Sequence, residues 1–293
     1  MTEGQAIVLR HGAASARIAL AGGEARQWRV GARELLWPGD PAIWSAISPI
    51  LFPVVGWTRE GARVDGRRYP LGLHGFAASQ EFVVEEQGDD HVRLSLADNL
   101  ETRRQYPFAF RFAVEYRLGG DALEIALETE NTGAAPMPYA CGLHPGFRWP
   151  FAGGSREGGQ VVFERPEAAE VPVIAPGGLI SARRRSIPLD GATLALSDAL
   201  FAGDAVCFLN MRSRSLRFLE PGGASIAMEL GDFAHAALWT RPGAPFLCLE
   251  AWTGYSDPEG FAGELKDKPG MRILAGGAKA RHVARYVFSD SSG

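Results

Sequence analysis

The feature that most restricts the fold is an alternation with a period of two residues. Between Phe110 and Leu118 the side chains of Phe110, Phe112, Val114, Tyr116 and Leu118 fall on one face, with Arg111, Glu115 and Arg117 on the other. Such a run forms a strand with one buried and one wet face, which is the habit of antiparallel sheets. Gly119-Gly120-Asp121 then turns the chain into a second strand-like run, Leu123 to Thr129.

The pattern recurs along the chain. Ala6 to Arg10 and Ala16 to Leu20 are short β-like runs, and Glu81–Glu86 and His91–Leu96 flank Gln87-Gly88-Asp89-Asp90 as a predicted hairpin. Val161–Phe163, Ala205–Leu209, Leu216–Leu219, Ser225–Leu230, Ala236–Trp239, Phe246–Glu250 and Ala280–Phe288 read the same way. The 36 glycines and 19 prolines are dispersed, so they punctuate turns between many short strands rather than mark a linker. Amphipathic helices are not expected, beyond one turn over Asp198–Phe201. Arg156 to Pro188 is polar and weakly patterned and reads as a long excursion. So many strands need two packed layers, and an all-β, large antiparallel β-sandwich is the predicted class. Sandwiches of this kind reach 293 residues as one unit, so residues 1–293 are expected to form a single domain.

Composition narrows the partners. A formal charge of −4 argues against nucleic acid, and the runs Arg183-Arg184-Arg185 and Arg212 to Arg217 sit among acidic segments, as on a solvated face. No apolar stretch approaches the ~20 residues needed to cross a bilayer. The first residues lack a basic region followed by an apolar core, so no secretory signal is expected. Cys141, Cys207 and Cys248 form no CxxC pair and read as reduced, mostly buried thiols. A cytoplasmic location follows as the expectation. The sequence sets no oligomeric state.

There is no P-loop, no HExxH, no GxGxxG after a strand and no GxSxG elbow. Two histidines stand in turn-like settings instead, His74 in Gly72-Leu73-His74-Gly75-Phe76 and His144 in Gly142-Leu143-His144-Pro145-Gly146-Phe147. Each could face a ligand or be a structural histidine satisfied by its turn. Their similar surroundings favour a shared cleft. Glu250 ends the apolar run Phe246–Leu249, where an ionised carboxylate needs partners. A buried ion pair and a carboxylate base beside Trp252 both fit that position.

Five blocks occur in order: Ser48-Pro49-Ile50-Leu51-Phe52-Pro53-Val54-Val55-Gly56, His74-Gly75-Phe76-Ala77, Gly142 to Phe147, Trp239 to Phe246, and Glu250-Ala251-Trp252-Thr253-Gly254. Together they resemble the LacX-type branch of the aldose 1-epimerase family over nearly the whole chain. The resemblance implies a galactose mutarotase-like supersandwich, a small-molecule aldose as substrate and interconversion of its α and β anomers. It also implies that His144 and Glu250 are the acid–base pair and His74 a substrate-binding histidine. One group takes the proton of the anomeric hydroxyl while another gives one to the ring oxygen. A carboxylate with an ordinary pKa of about 4.3 and an imidazole of about 6.5 suit that exchange. This chemistry requires no metal and no organic cofactor.

The chain departs from the family at two places, with Trp57 and Ala78 where arginines are common. A planar donor fork is not replaced by either. Arg59, two residues beyond Trp57 and on its face if the segment is a strand, is a candidate substitute. Trp57, Trp149 and Trp252 offer flat apolar faces for a pyranose, or fill the core. The readings that remain open are a non-catalytic sugar-binding protein on the same scaffold and a glycoside hydrolase pairing Glu250 with Asp257.

Overall fold

A computed structural model describes residues 5–290. Among the described residues the largest sheet has ten strands. Across it lie Leu189–Asp190, Thr193–Ala195, Gln160–Phe163, Ser215–Leu219, Ser225–Glu229, Lys279–Ser289, Ala122–Asn131, Phe110–Leu118, His91–Ala97 and Val83–Gln87. The pairings determined across it are antiparallel, and Phe110 pairs with Asn131 as Leu118 pairs with Leu123. The alternation read from the sequence is what packs: Phe112, Val114 and Tyr116 are fully buried, while Arg111 and Arg117 are exposed.

A second sheet carries the candidate site. Its strands run Val206–Phe208, His235–Trp239, Phe246–Trp252, Gly142–Leu143 and Ile50–Leu51, with Gly146–Arg148 also pairing to Phe246–Trp252. The Phe246–Trp252 strand is buried along its whole length, and its two faces serve different clusters. Leu247, Leu249 and Ala251 join the main core, whereas Phe246, Cys248 and Trp252 join two smaller groups on the opposite face. Rings tie the two sheets together: Phe52 stacks on Phe112 at 4.2 Å, and the Tyr286 hydroxyl donates to the Leu249 carbonyl at 3.1 Å. A further four-stranded sheet, from Ala6–His11 to Arg33–Glu34, packs on this core through Leu9, Ile18 and Trp28. The three cysteines are free and buried, as expected.

Two elements show where the structure departs from the sequence reading. Leu100–Gln105 is a short α-helix, started by Asn99, whose side chain accepts from the amides of Glu101 and Thr102. The excursion over 156–188 contains a hairpin, Glu170–Ala175 with Leu179–Ser186, besides the Gln160–Phe163 strand of the large sheet.

Gly56 shows how tightly the loops are set. It has φ +70°, and a Cβ there would land on the Ser256 side chain and backbone. Gly56→Ala is therefore expected to lose about 2–5 kcal/mol of stability, the left-handed conformation adding to overpacking. Gly66, at φ +75° with open space around it, should lose only the conformational part of about 1–2 kcal/mol as Gly66→Ala. Urea unfolding of the two variants checks the contrast; equal losses would remove the close-approach explanation.

Candidate active site

Three separated sequence blocks meet because their strands are neighbours. Gly142 pairs with Leu51 on one side and with Trp252 on the other, and Leu143 pairs with Ile50 and Ala251. His144 follows at once, its amide donating to the Pro49 carbonyl at 3.1 Å, and Leu249 N donates to the Pro145 carbonyl at 3.1 Å. Glu250 lies on the face of its strand opposite to Leu249. The result is a contact of 3.2 Å between His144 Nε2 and Glu250 Oε2.

The pair stands in a cleft of ≈ 390 Å³ that also has Trp44, Trp57, His74, Trp239 and Trp252 among its lining residues. Glu250 is 1 % exposed, and Trp252 Nε1 donates to its Oε2 at 3.1 Å. Burial pushes the Glu250 carboxyl well above the ordinary carboxylate range, the Trp252 hydrogen bond opposing it. Burial also drives His144 down to about 4. Both shifts favour the uncharged form, a carboxyl on Glu250 and a neutral imidazole on His144. Its Nδ1 is buried with no hydrogen-bond partner among the described residues. Trp44 lies at 5.3 Å, tilted 34° to the imidazole, and Trp239 sits edge-on at 5.8 Å.

His74 is held differently. It adopts φ +60°, uncommon for a residue with a side chain, inside a loop closed by His74 N to Gly56 O at 2.9 Å. The next residue must be glycine, since a Cβ on Gly75 would land on the Phe52 carbonyl. Gly56 N donates to His74 Nδ1 at 3.0 Å, which requires Nδ1 to be bare and puts the proton on Nε2. A neutral donor is thus available beside His144, the two rings 5.6 Å apart at 90°. Desolvation first, then the charges of His144 and Lys268, lower the His74 pKa to about 3.

That shift has a testable consequence for stability. The folded state resists protonating His74, so its contribution is intact above the unfolded value of about 6.5 and is lost as pH falls towards 3. His74→Asn keeps an acceptor for Gly56 and tolerates positive φ. Relative to wild type, this variant should gain about 2–3 kcal/mol between pH 6.5 and 4.5, at 1.36 kcal/mol per unit. Urea unfolding at both pH values measures it, and a pH-independent difference would refute the assignment.

The remaining sequence candidates divide. Trp57 and Trp252 line the cleft, Trp57 with 39 % of its surface exposed and its indole against Gly178 at the hairpin tip. Arg59 does not line it. The Trp57–Arg59 segment is not a strand, and the Arg59 amide donates to Asp257 Oδ2, leaving its side chain along a separate pocket. Asp257 lines that same pocket and is paired with Lys268 at 3.1 Å, both nearly inaccessible, which takes it out of any partnership with Glu250 across a glycosidic bond. Trp149 is buried in the core against Phe218. Asp232, an acid in the turn before the His235–Trp239 strand, accepts from His282 Nδ1 at 2.7 Å and is not part of the cleft lining.

Sequence reasoning missed Trp44, Asp204, Arg241 and the hairpin residues Ile174, Gly178 and Ile180, all in the cleft wall. Trp44 stood four residues before the Ser48-Pro49 block, and that proximity was the available signal. Among the described residues His144, Cys248 and Glu250 hold donor atoms within 4.8 Å of one another, a spacing compatible with a metal ion. Burial raises the Cys248 thiol well above its usual range, which works against capture, since ligation requires the thiolate.

The architecture matches solved structures over its full length. A galactose mutarotase related enzyme from Lactobacillus acidophilus superposes with a TM-score of 0.91 at 27% identity, covering 98% of each chain. A galactose mutarotase-like protein from Lactobacillus casei gives 0.91 at 26% identity, over 97% of this chain and 100% of the other. Fold and cleft thus define a galactose mutarotase-like, carbohydrate-related protein. The sequence model of aldose 1-epimerase matches residues 5–195, a span that includes His74 and His144 and ends before Glu250. The chromosomal and plasmid LacX proteins of Lactococcus lactis are each 33% identical over 252 residues, 80% of this chain and 83% of theirs. The chain belongs to the aldose 1-epimerase family.

Proposed function

We propose that the protein is an aldose 1-epimerase that interconverts the α and β anomers of a free aldose, with His144 and Glu250 exchanging protons. The observation that carries this reading is the 3.2 Å approach of Nε2 to Oε2 on the wall of a cleft large enough for a sugar. Protons balance across the pair. Starting from the neutral carboxyl and imidazole that burial favours, passing the carboxyl proton to the imidazole gives a carboxylate and an imidazolium. Glu250 then takes the O1 proton while His144 gives one to the ring oxygen, so the C1–O5 bond breaks and the open-chain aldehyde forms. Rotation about C1–C2 presents the other face, and the reverse transfers close the ring on the opposite anomer. On this reading His74 Nε2–H serves as a hydroxyl donor, and Trp57 and Trp252 supply apolar faces for the ring.

The second reading, a sugar-binding protein without catalysis, is favoured by one observation. Trp57 stands half-exposed in the cleft wall where the family's arginine is common, and Arg59 does not replace it there. Anomer exchange separates the two. Rates for galactose, glucose, xylose, arabinose, fucose, hexose 6-phosphates and uronic acids, followed by NMR exchange or polarimetry, should show acceleration that falls in both Glu250→Gln and His144→Asn. Saturable sugar binding with no acceleration on any of them would select the binder.

A further inference from the structure

Behind the cleft wall lies a second pocket of ≈ 160 Å³, less than half the volume of the first. Four cationic side chains, Arg59, Arg63, Arg68 and Lys268, line it against two carboxylates, Glu60 and Asp257. Both carboxylates are already engaged. Glu60 pairs with Arg68, and Asp257 pairs with Lys268 at 3.1 Å while accepting from the Arg59 amide. The guanidinium groups of Arg59 and Arg63 have no hydrogen-bond acceptor among the described residues.

Lys268 makes this more than a surface patch. Its side chain is 1 % exposed, yet it lines the pocket. An ammonium has three donors. Lys268 Nζ donates to the Trp57 carbonyl at 3.0 Å and lies 3.1 Å from Asp257 Oδ1, an oxygen with no hydrogen-bond partner of its own, so at least one N–H has no protein acceptor among the described residues. A buried ammonium with a spare donor, next to two arginines with free forks, is an unfilled set of charge-assisted donors for a tetrahedral oxyanion.

We propose that this pocket binds a phosphoryl-type dianion, either inorganic phosphate or the phosphate of a small metabolite, at a site distinct from the sugar cleft. The excess of two positive charges matches a dianion. Desolvation by burial lowers the Lys268 pKa, and an added anion offsets that cost. The site is coupled to the cleft by Lys268, which holds the carbonyl of Trp57, whose indole lines the other side.

Isothermal titration with inorganic phosphate at fixed ionic strength tests this without reference to turnover, so failure here is separable from failure of the epimerase reading. Wild type should bind one equivalent saturably, and Arg59→Gln/Arg63→Gln should weaken binding by at least about tenfold, the loss of two charge-assisted contacts. Both positions are at or near the surface, so the double variant should fold. Titration with galactose 6-phosphate distinguishes the sources. Affinity equal to that of phosphate identifies a free oxyanion, and a preference of about tenfold or more identifies a phosphorylated metabolite. Absence of saturable binding in wild type, or binding unchanged in the double variant, overturns the proposal.

Discussion

Glu250→Gln is expected to slow anomer exchange by about 10²–10⁴-fold while leaving the protein folded. Glutamine has the size of the neutral carboxyl that burial already favours at this position, and its amide oxygen can still accept from Trp252 Nε1. What it cannot do is release or take up a proton. The rate loss should therefore come without loss of stability, and the urea midpoint at neutral pH should stay the same or rise. The pH profile of wild type is expected to fall on the acid side near 4, where His144 becomes protonated, and on the alkaline side where the raised Glu250 carboxyl ionises. Full activity in Glu250→Gln, measured by NMR exchange, would sink the mechanism.

The second large effect is on stability. Lys268→Met should destabilise the protein by about 3–5 kcal/mol, because it leaves the Asp257 carboxylate buried without its partner. Asp257→Asn on top of it removes the stranded charge and still offers an oxygen to the Arg59 amide, so the double variant should recover much of the loss. Denaturant unfolding of both variants measures this. A loss below about 1 kcal/mol in the single variant would mean that the pair behaves as a surface pair does.

How much of this was legible in the sequence depends on burial. Phe110–Leu118 was readable residue by residue because one face enters the core and the other meets water. The hairpin over 170–186 was not, since it forms a two-stranded ribbon with a register shift between Pro172 and Ile174 and exposes Arg183 and Arg184. The helix Leu100–Gln105 buries only Thr102, so it carries no apolar period, and its signal was the cap at Asn99. For the site, motif order picked out His74, His144 and Glu250, and adjacent strands bring His144 and Glu250 together with His74 beside them. Arg59 went astray because side-chain direction was inferred from a strand period in a segment that turns. Trp44 was missed because a lone aromatic belongs to no periodic pattern, and nearness to the Ser48-Pro49 block was the only cue to it.

The position of Lys279–Ser289 bears on how the chain becomes a protein at all. This strand lies between Ser225–Glu229 and Ala122–Asn131, so it joins two halves of the ten-stranded sheet that are otherwise not hydrogen-bonded to each other. During synthesis both halves leave the ribosome with an open edge, each a template for unwanted pairing, until the strand made after them arrives to close the gap. Assembly of the ten-stranded sheet is thus expected to wait until residues 279–289 have emerged. A chain stalled before residue 279 should be a substrate for chaperones rather than a smaller folded protein.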